Sequence, residues 1–155
     1  MSEGTLSAAL ETEHRQIDAG IEAYAKSAEA GAPEIEPVLQ AMGALRRHIY
    51  LEEEMVFPAL REAGLVAPVF VMVREHGEIW RAMDGLEKAV ADDPAGVAAA
   101  DVCRELVKAL EAHNMKEEVI LYPQTDTIVT GDASQALQDF LASGEMPAGW
   151  TCQAA

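Results

Sequence analysis

One pattern occurs twice in this chain and restricts its fold more than any other feature. His48-x-x-x-Glu52-Glu53-x-x-x-Phe57-Pro58 is matched, offset for offset, by His113-x-x-x-Glu117-Glu118-x-x-x-Tyr122-Pro123. Upstream of each copy lies a shorter match, Glu13-His14-x-x-Ile17 and Glu75-His76-x-x-Ile79. The separations between equivalent histidines are nearly equal, so the chain reads as two related halves. These motifs use all 4 histidines of the protein.

Each histidine also falls in an apolar stripe with helical spacing. The first helix is expected over about 7–30, with Leu10, His14, Ile17, Ile21 and Tyr24 on one face. The second is expected over about 34–63, lined by Val38, Met42, Leu45, His48, Glu52, Met55 and Leu60; Pro58 should kink or break its last turn. Val69, Met72, His76, Ile79, Met83 and Leu86 mark a third over about 67–91. Val102, Leu106, Leu110, His113, Glu117 and Ile120 mark a fourth over about 95–122, which Pro123 should end. A short fifth helix is expected over about 133–143, followed by an irregular tail from Gly144 to Ala155. No segment alternates like a strand. The predicted fold is all-α, an up-down-up-down four-helix bundle with a short C-terminal fifth helix.

Within a helix, residues i and i+4 lie roughly 40° apart, so His48 and Glu52 share a direction, as do His113 and Glu117. Glu53 and Glu118 should face sideways. A bundle that brings these groups together would bury four imidazoles and two carboxylates at its centre. Unpaired buried carboxylates are very costly, and metal coordination removes that cost. Nitrogen and oxygen donors together suit iron, manganese or zinc, and no cysteine is placed for a thiolate site or an iron–sulfur cluster. Four imidazoles and two bridging carboxylates give each of two metals two nitrogens and two oxygens. With one further bridge, a coordination position on each metal stays open for a small diatomic or peroxide. The predicted metal ligands are therefore His14, His48, Glu52, His76, His113 and Glu117, with no catalytic side chain and no organic cofactor assigned.

The remaining features are read as structural. Glu13 and Glu75 are taken as surface charge in preference to partners of a ligand. Met42, Met55, Met72 and Met83 are taken as core packing, and Tyr24, Tyr50 and Tyr122 are expected to stay clear of the centre. Trp150 should pack on the bundle, Cys103 should be a small buried residue, and Cys152 an inert tail thiol.

At 155 residues the chain reads as a single domain over 1–155, with the bundle over about 6–125 and the short helix and tail over 126–155. The formal charge of −16 argues against nucleic acid and anionic membrane surfaces as partners. Two distant cysteines make a disulfide framework improbable and fit a reducing cytoplasm. Neither a signal peptide nor a membrane span is expected. Oligomeric state stays open. The His-x-x-x-Glu order differs from the Glu-x-x-His pairs of ferritin-like bundles, and no phosphate loop or dinucleotide fingerprint is present.

Taken together, His14, His48-x-x-x-Glu52, His76 and His113-x-x-x-Glu117, with Phe57-Pro58 and Tyr122-Pro123, resemble the hemerythrin HHE cation-binding domain over about residues 6–125. The resemblance implies a non-haem di-iron centre, two iron ions with an oxo or hydroxo bridge, in preference to manganese or zinc. It implies that His14 and His48 ligate one iron, that His76 and His113 ligate the other, and that Glu52 and Glu117 bridge them. Oxygen-carrying hemerythrins have a fifth histidine one turn before the helix-three ligand, where this chain has Met72. That departure moves the expectation from reversible oxygen carriage towards binding or sensing of O2, NO or peroxide. The four-His, two-Glu set is closer to bacterial proteins linked to repair of iron centres and to nitric oxide stress, although the cysteine-bearing N-terminal extension common in that group is not seen. The alternatives are a di-iron oxidoreductase, NO reductase-like or peroxidase/catalase-like, and an iron donor for damaged iron–sulfur centres.

Overall fold

The structure is a computed structural model that describes residues 4–155. Seven α-helical segments run in order: α1 (Leu6–Glu29), α2 (Ile35–Leu51), α3 (Phe57–Glu62), α4 (Val66–Asp92), α5 (Val97–Lys116), α6 (Tyr122–Ile128) and α7 (Gly131–Ser143). No strand occurs among the described residues. The connections after α2 and α5 are not loops. Each is a π-helical turn, Glu52–Val56 and Glu117–Leu121, so that α2–α3 and α5–α6 are continuous rods. With α1 and α4 they make four rods. Around the bundle the order is α1, α2–α3, α4, α5–α6 and back to α1, as an up-down-up-down path with short connections requires.

Helix ends follow local chemistry. Thr5 caps α1, its hydroxyl accepting from the Ala8 amide at 3.1 Å. The α1–α2 connection turns at Gly31 with φ 79°, the left-handed conformation that glycine adopts without a Cβ clash. The Tyr24 hydroxyl donates to the Pro94 carbonyl at 2.6 Å and fastens α1 to the α4–α5 turn.

Pro58 distorts its helix as expected, whereas Pro123 acts differently from expectation. Pro58 and Pro123 do not stop their helices. A proline has no N–H to offer the carbonyl four residues back, and its ring crowds that carbonyl. Here the turn before it widens: the Phe57 amide donates to the Glu52 carbonyl and the Tyr122 amide to the Glu117 carbonyl, five residues back in each case. Each proline then sits in the first turn of the next α segment, where a missing N–H costs nothing. The fourth rod therefore runs on to Ile128 instead of ending at Pro123.

The core lies in two apolar clusters. One contains Ile17, Ile21, Met42, Leu45, Ile79, Met83, Leu106 and Leu110. The other contains Leu10, Leu51, Phe57, Leu60, Val69, Met72, Leu121, Tyr122 and Leu137. All four histidines lie in chain order between members of the first cluster and members of the second, and form a polar layer between them. Both halves of the repeat place their His and Glu side chains in that layer.

The tail packs, as Trp150 was expected to do. Its ring meets Tyr50 and Trp80 edge-on, at centroid distances of 5.1 and 5.7 Å, and Cys152 is buried. Ala154 crosses α4 at Gly77, so closely that a Cβ on Gly77 would overlap the Ala154 carbonyl. Alanine in place of Gly77 would favour the helix by about 1 kcal/mol, yet the overlap is with backbone, and overpacking costs about 1–3 kcal/mol. Gly77→Ala should therefore leave helicity intact and lift the tail. Cys152 should become reactive to a thiol reagent under native conditions; continued protection of Cys152 would contradict this packing.

Candidate metal centre

The structure brings all six predicted residues into the polar layer, and all are 3 % exposed or less. Their donor atoms form two groups that share both carboxylates. His14, His48, Glu52 and Glu117 make the first; Glu52, His76, His113 and Glu117 make the second; within each, the four donor atoms lie within 4.8 Å of one another. In the first group His14 Nε2 lies 3.1 Å from Glu117 Oε1, and His48 Nε2 lies 3.5 Å from Glu52 Oε2. In the second, His76 Nε2 lies 3.1 Å from Glu52 Oε1, and His113 Nε2 lies 3.3 Å from Glu117 Oε2.

The other ring nitrogen of every histidine is held by a carboxylate. His14 Nδ1 donates to Glu118 at 2.8 Å, His48 Nδ1 to Glu13 at 2.9 Å, His76 Nδ1 to Glu53 at 2.8 Å and His113 Nδ1 to Glu75 at 2.9 Å. An ionised carboxylate only accepts, so Nδ1 carries a proton and Nε2 is the ring nitrogen turned inwards. This corrects the surface-charge reading of Glu13 and Glu75. The residue just before a buried histidine faces a neighbouring rod, and in this bundle that neighbour is another histidine-bearing helix: Glu13 meets His48 and Glu75 meets His113. The sideways direction of Glu53 and Glu118 points to the same arrangement.

These carboxylates are anchored in turn. Arg47 Nη1 donates to Glu13 at 3.0 Å, and its Nε donates to the Gly144 carbonyl at the end of α7 at 2.9 Å. Lys116 donates to Glu75. The Gln153 amide donates to Glu53 at 2.9 Å, so the C-terminal tail steadies the carboxylate that orients His76. Partners of this kind fix the tautomer and direction of a metal-binding imidazole.

Tyr122 was not expected here. Its hydroxyl lies 2.9 Å from His14 Nε2, 3.0 Å from His48 Nε2, 2.8 Å from Glu52 Oε2 and 3.2 Å from Glu117 Oε1. Tyr24 and Tyr50 stay clear of the centre. In the other half Phe57, at the equivalent position, stacks on His76 at a centroid distance of 5.4 Å. The π turns explain both placements. Five residues of α-helix end about 140° from where they began, whereas a turn closed on the fifth residue returns the side chain over its start.

The donor set fits a cation on this structure's own evidence. The Nε2 atoms and carboxylate oxygens converge on two shared positions. Glu117 Oε2 is buried with no hydrogen-bond partner. Such an atom carries a desolvation cost of about 1–3 kcal/mol or more when charged. Burial opposes charge on these rings, yet the carboxylates outweigh it. Glu52 and Glu13 push His48 up to about 10. Glu117, Glu52 and Glu53 hold His76 well above the usual histidine value, and Glu117 with Glu75 raises His113. Burial likewise opposes charge on Glu117, and His113 holds its carboxyl well below the usual range all the same. The cluster attracts positive charge.

A four-rod bundle with a buried His and Glu layer at its waist defines a metal-binding helical protein. More narrowly, the hemerythrin HHE cation-binding domain model matches residues 5–125, and the chain belongs to that family. No curated protein and no solved structure matches the chain. No helix among the described residues is long and apolar enough to cross a membrane.

Two outcomes follow for the metal-free and metal-loaded forms. A histidine raised on folding stabilises the fold fully below its unfolded value of ~6.5. That stabilisation is lost as pH climbs through the folded value, about 10 for His48. The metal-free Tm should accordingly fall between those limits, and bound metal, which takes the place of the protons, should remove the fall. An equal decline in both forms would refute the charge balance. Separately, Glu13→Ala or Glu75→Ala should weaken metal affinity about 10–100-fold in a chelator competition. An unchanged affinity in both would return these residues to surface charge.

Proposed function

We propose that His14, His48, Glu52, His76, His113 and Glu117 hold two iron ions, with Glu52 and Glu117 between them, and that the centre binds O2, NO or peroxide. The observation that carries this reading is the pairing of two four-donor groups through shared carboxylates, with Glu117 Oε2 left unpartnered. One carboxylate oxygen of Glu52 faces each histidine pair, as do the two oxygens of Glu117. When bound, iron would supply redox-active positions that accept a small π-acid or peroxide ligand.

The protein residues do the rest. Carboxylates on Nδ1 keep each imidazole lone pair aimed inwards. The apolar clusters on either side keep bulk water from the layer and limit the centre to small ligands. Met72 is buried one turn before His76 and brings no nitrogen to the second group, which favours an open position there over a closed oxygen carrier. The whole of 1–155 acts as one unit in this proposal, since the tail and Arg47 both support the histidines. Free Cys103 and Cys152 accord with a reducing cytoplasm.

Metal analysis tests the assignment. Purified wild-type protein should hold two irons per chain, and Glu52→Ala or Glu117→Ala should hold well below two. Wild-type loading in both variants would remove the bridging roles. Stopped-flow addition of NO, O2 and peroxide to the reduced protein then separates binding from turnover. A reversible spectral change supports binding or sensing, and many turnovers per chain support the oxidoreductase alternative.

A further inference from the structure

The two halves of the centre are not chemically equal. The repeat is faithful in His, Glu and Pro, but it sets Phe57 opposite Tyr122. Both side chains are fully buried and both are turned inwards by a π turn. In the first half a hydroxyl therefore stands at the centre. In the second half the equivalent ring has no polar atom.

The position of that hydroxyl carries the argument. Donor atoms bound at right angles on one metal, with bonds of ~2.1 Å, lie about 3 Å apart. Tyr122 Oη is 2.8–3.2 Å from all four donor atoms of the first half: His14 Nε2, His48 Nε2, Glu52 Oε2 and Glu117 Oε1. A hydroxyl that merely packed beside the site would approach one or two of them. In the second half nothing plays this part, and the buried oxygen without a hydrogen bond, Glu117 Oε2, faces that half, 3.3 Å from His113 Nε2.

We propose that the Tyr122 hydroxyl is a fifth protein ligand to the metal held by His14 and His48, and that external ligands bind at the His76–His113 metal, on the Phe57 side. This rests on the di-iron reading above and makes it unsymmetrical. One metal is closed by protein and the other is the working position. A bound cation favours the phenolate over the phenol. The phenol proton then leaves to solvent as the metal binds, as ligand protons do. Met72 lies one turn before His76, so the half without a hydroxyl is also the half without an additional histidine.

Phenolate bound to Fe(III) has a visible charge-transfer band whose resonance Raman spectrum shows the ring and C–O modes of tyrosinate. Aerobically iron-loaded wild-type protein should show them. Tyr24 and Tyr50 lie away from the centre, so the wild-type spectrum alone decides whether Tyr122 is bound. Tyr122→Phe, which removes one oxygen and keeps the buried ring, should lose the modes while keeping iron and helicity. Phe57→Tyr should strengthen them and lose azide binding, which wild-type protein should show at one azide per iron pair. A chain that takes up no iron overturns both this inference and the di-iron reading. Two irons per chain with no tyrosinate modes, or modes that persist in Tyr122→Phe, overturn this inference alone. Azide binding that survives in Phe57→Tyr overturns the assignment of the open side.

Discussion

At the waist of the bundle, imidazoles and carboxylates converge in a layer that attracts positive charge. The four imidazoles and the carboxylates of Glu52 and Glu117 share a layer with almost no solvent contact. Left without positive charge, the buried carboxylates of such a layer would be costly. A cation in each group would turn that cost into coordination, and most of the surrounding structure makes sense as support for it. Glu13, Glu53, Glu75 and Glu118 hold the Nδ1 protons outwards, and Arg47, Lys116 and the tail amide of Gln153 hold three of those carboxylates. The C-terminal segment, irregular in backbone, is thus tied to the orientation of His76 through Glu53.

The prolines give the layer its second property. By widening one turn in each half they rotate Phe57 and Tyr122 over Glu52 and Glu117. A straight α-helix would send these rings to the side. The duplicated architecture is therefore nearly symmetrical in its donors and unsymmetrical in what stands over them. A single atom, the Tyr122 oxygen, distinguishes the two halves.

Much of this was legible in the sequence, and the reasons are specific. Helical period and the repeat revealed the rods and the shared direction of His48 with Glu52 and His113 with Glu117, because α geometry maps spacing onto direction. The same rule misled at Phe57 and Tyr122, since it assumes 3.6 residues per turn where the chain uses a wider one. The Pro after each was the available signal, but Pro58 was read as a kink or break and Pro123 as a stop, neither as a widened turn. Glu13 and Glu75 were misjudged because their role depends on which helices are neighbours, a property of packing that no single stripe records. The packing of Trp150 was legible, but the rest of the tail was not, for the same reason: Ala154 on Gly77 and Gln153 on Glu53 are contacts between distant segments without periodicity.

The claim on which the rest stands is that the layer holds a pair of metals. Anomalous diffraction from crystals of the iron-loaded protein, collected across the iron absorption edge, tests it most directly. The account predicts two peaks within ~4 Å of each other, one beside His14 and His48 and the other beside His76 and His113. A single peak in the layer, or iron located elsewhere on the acidic surface, would contradict it.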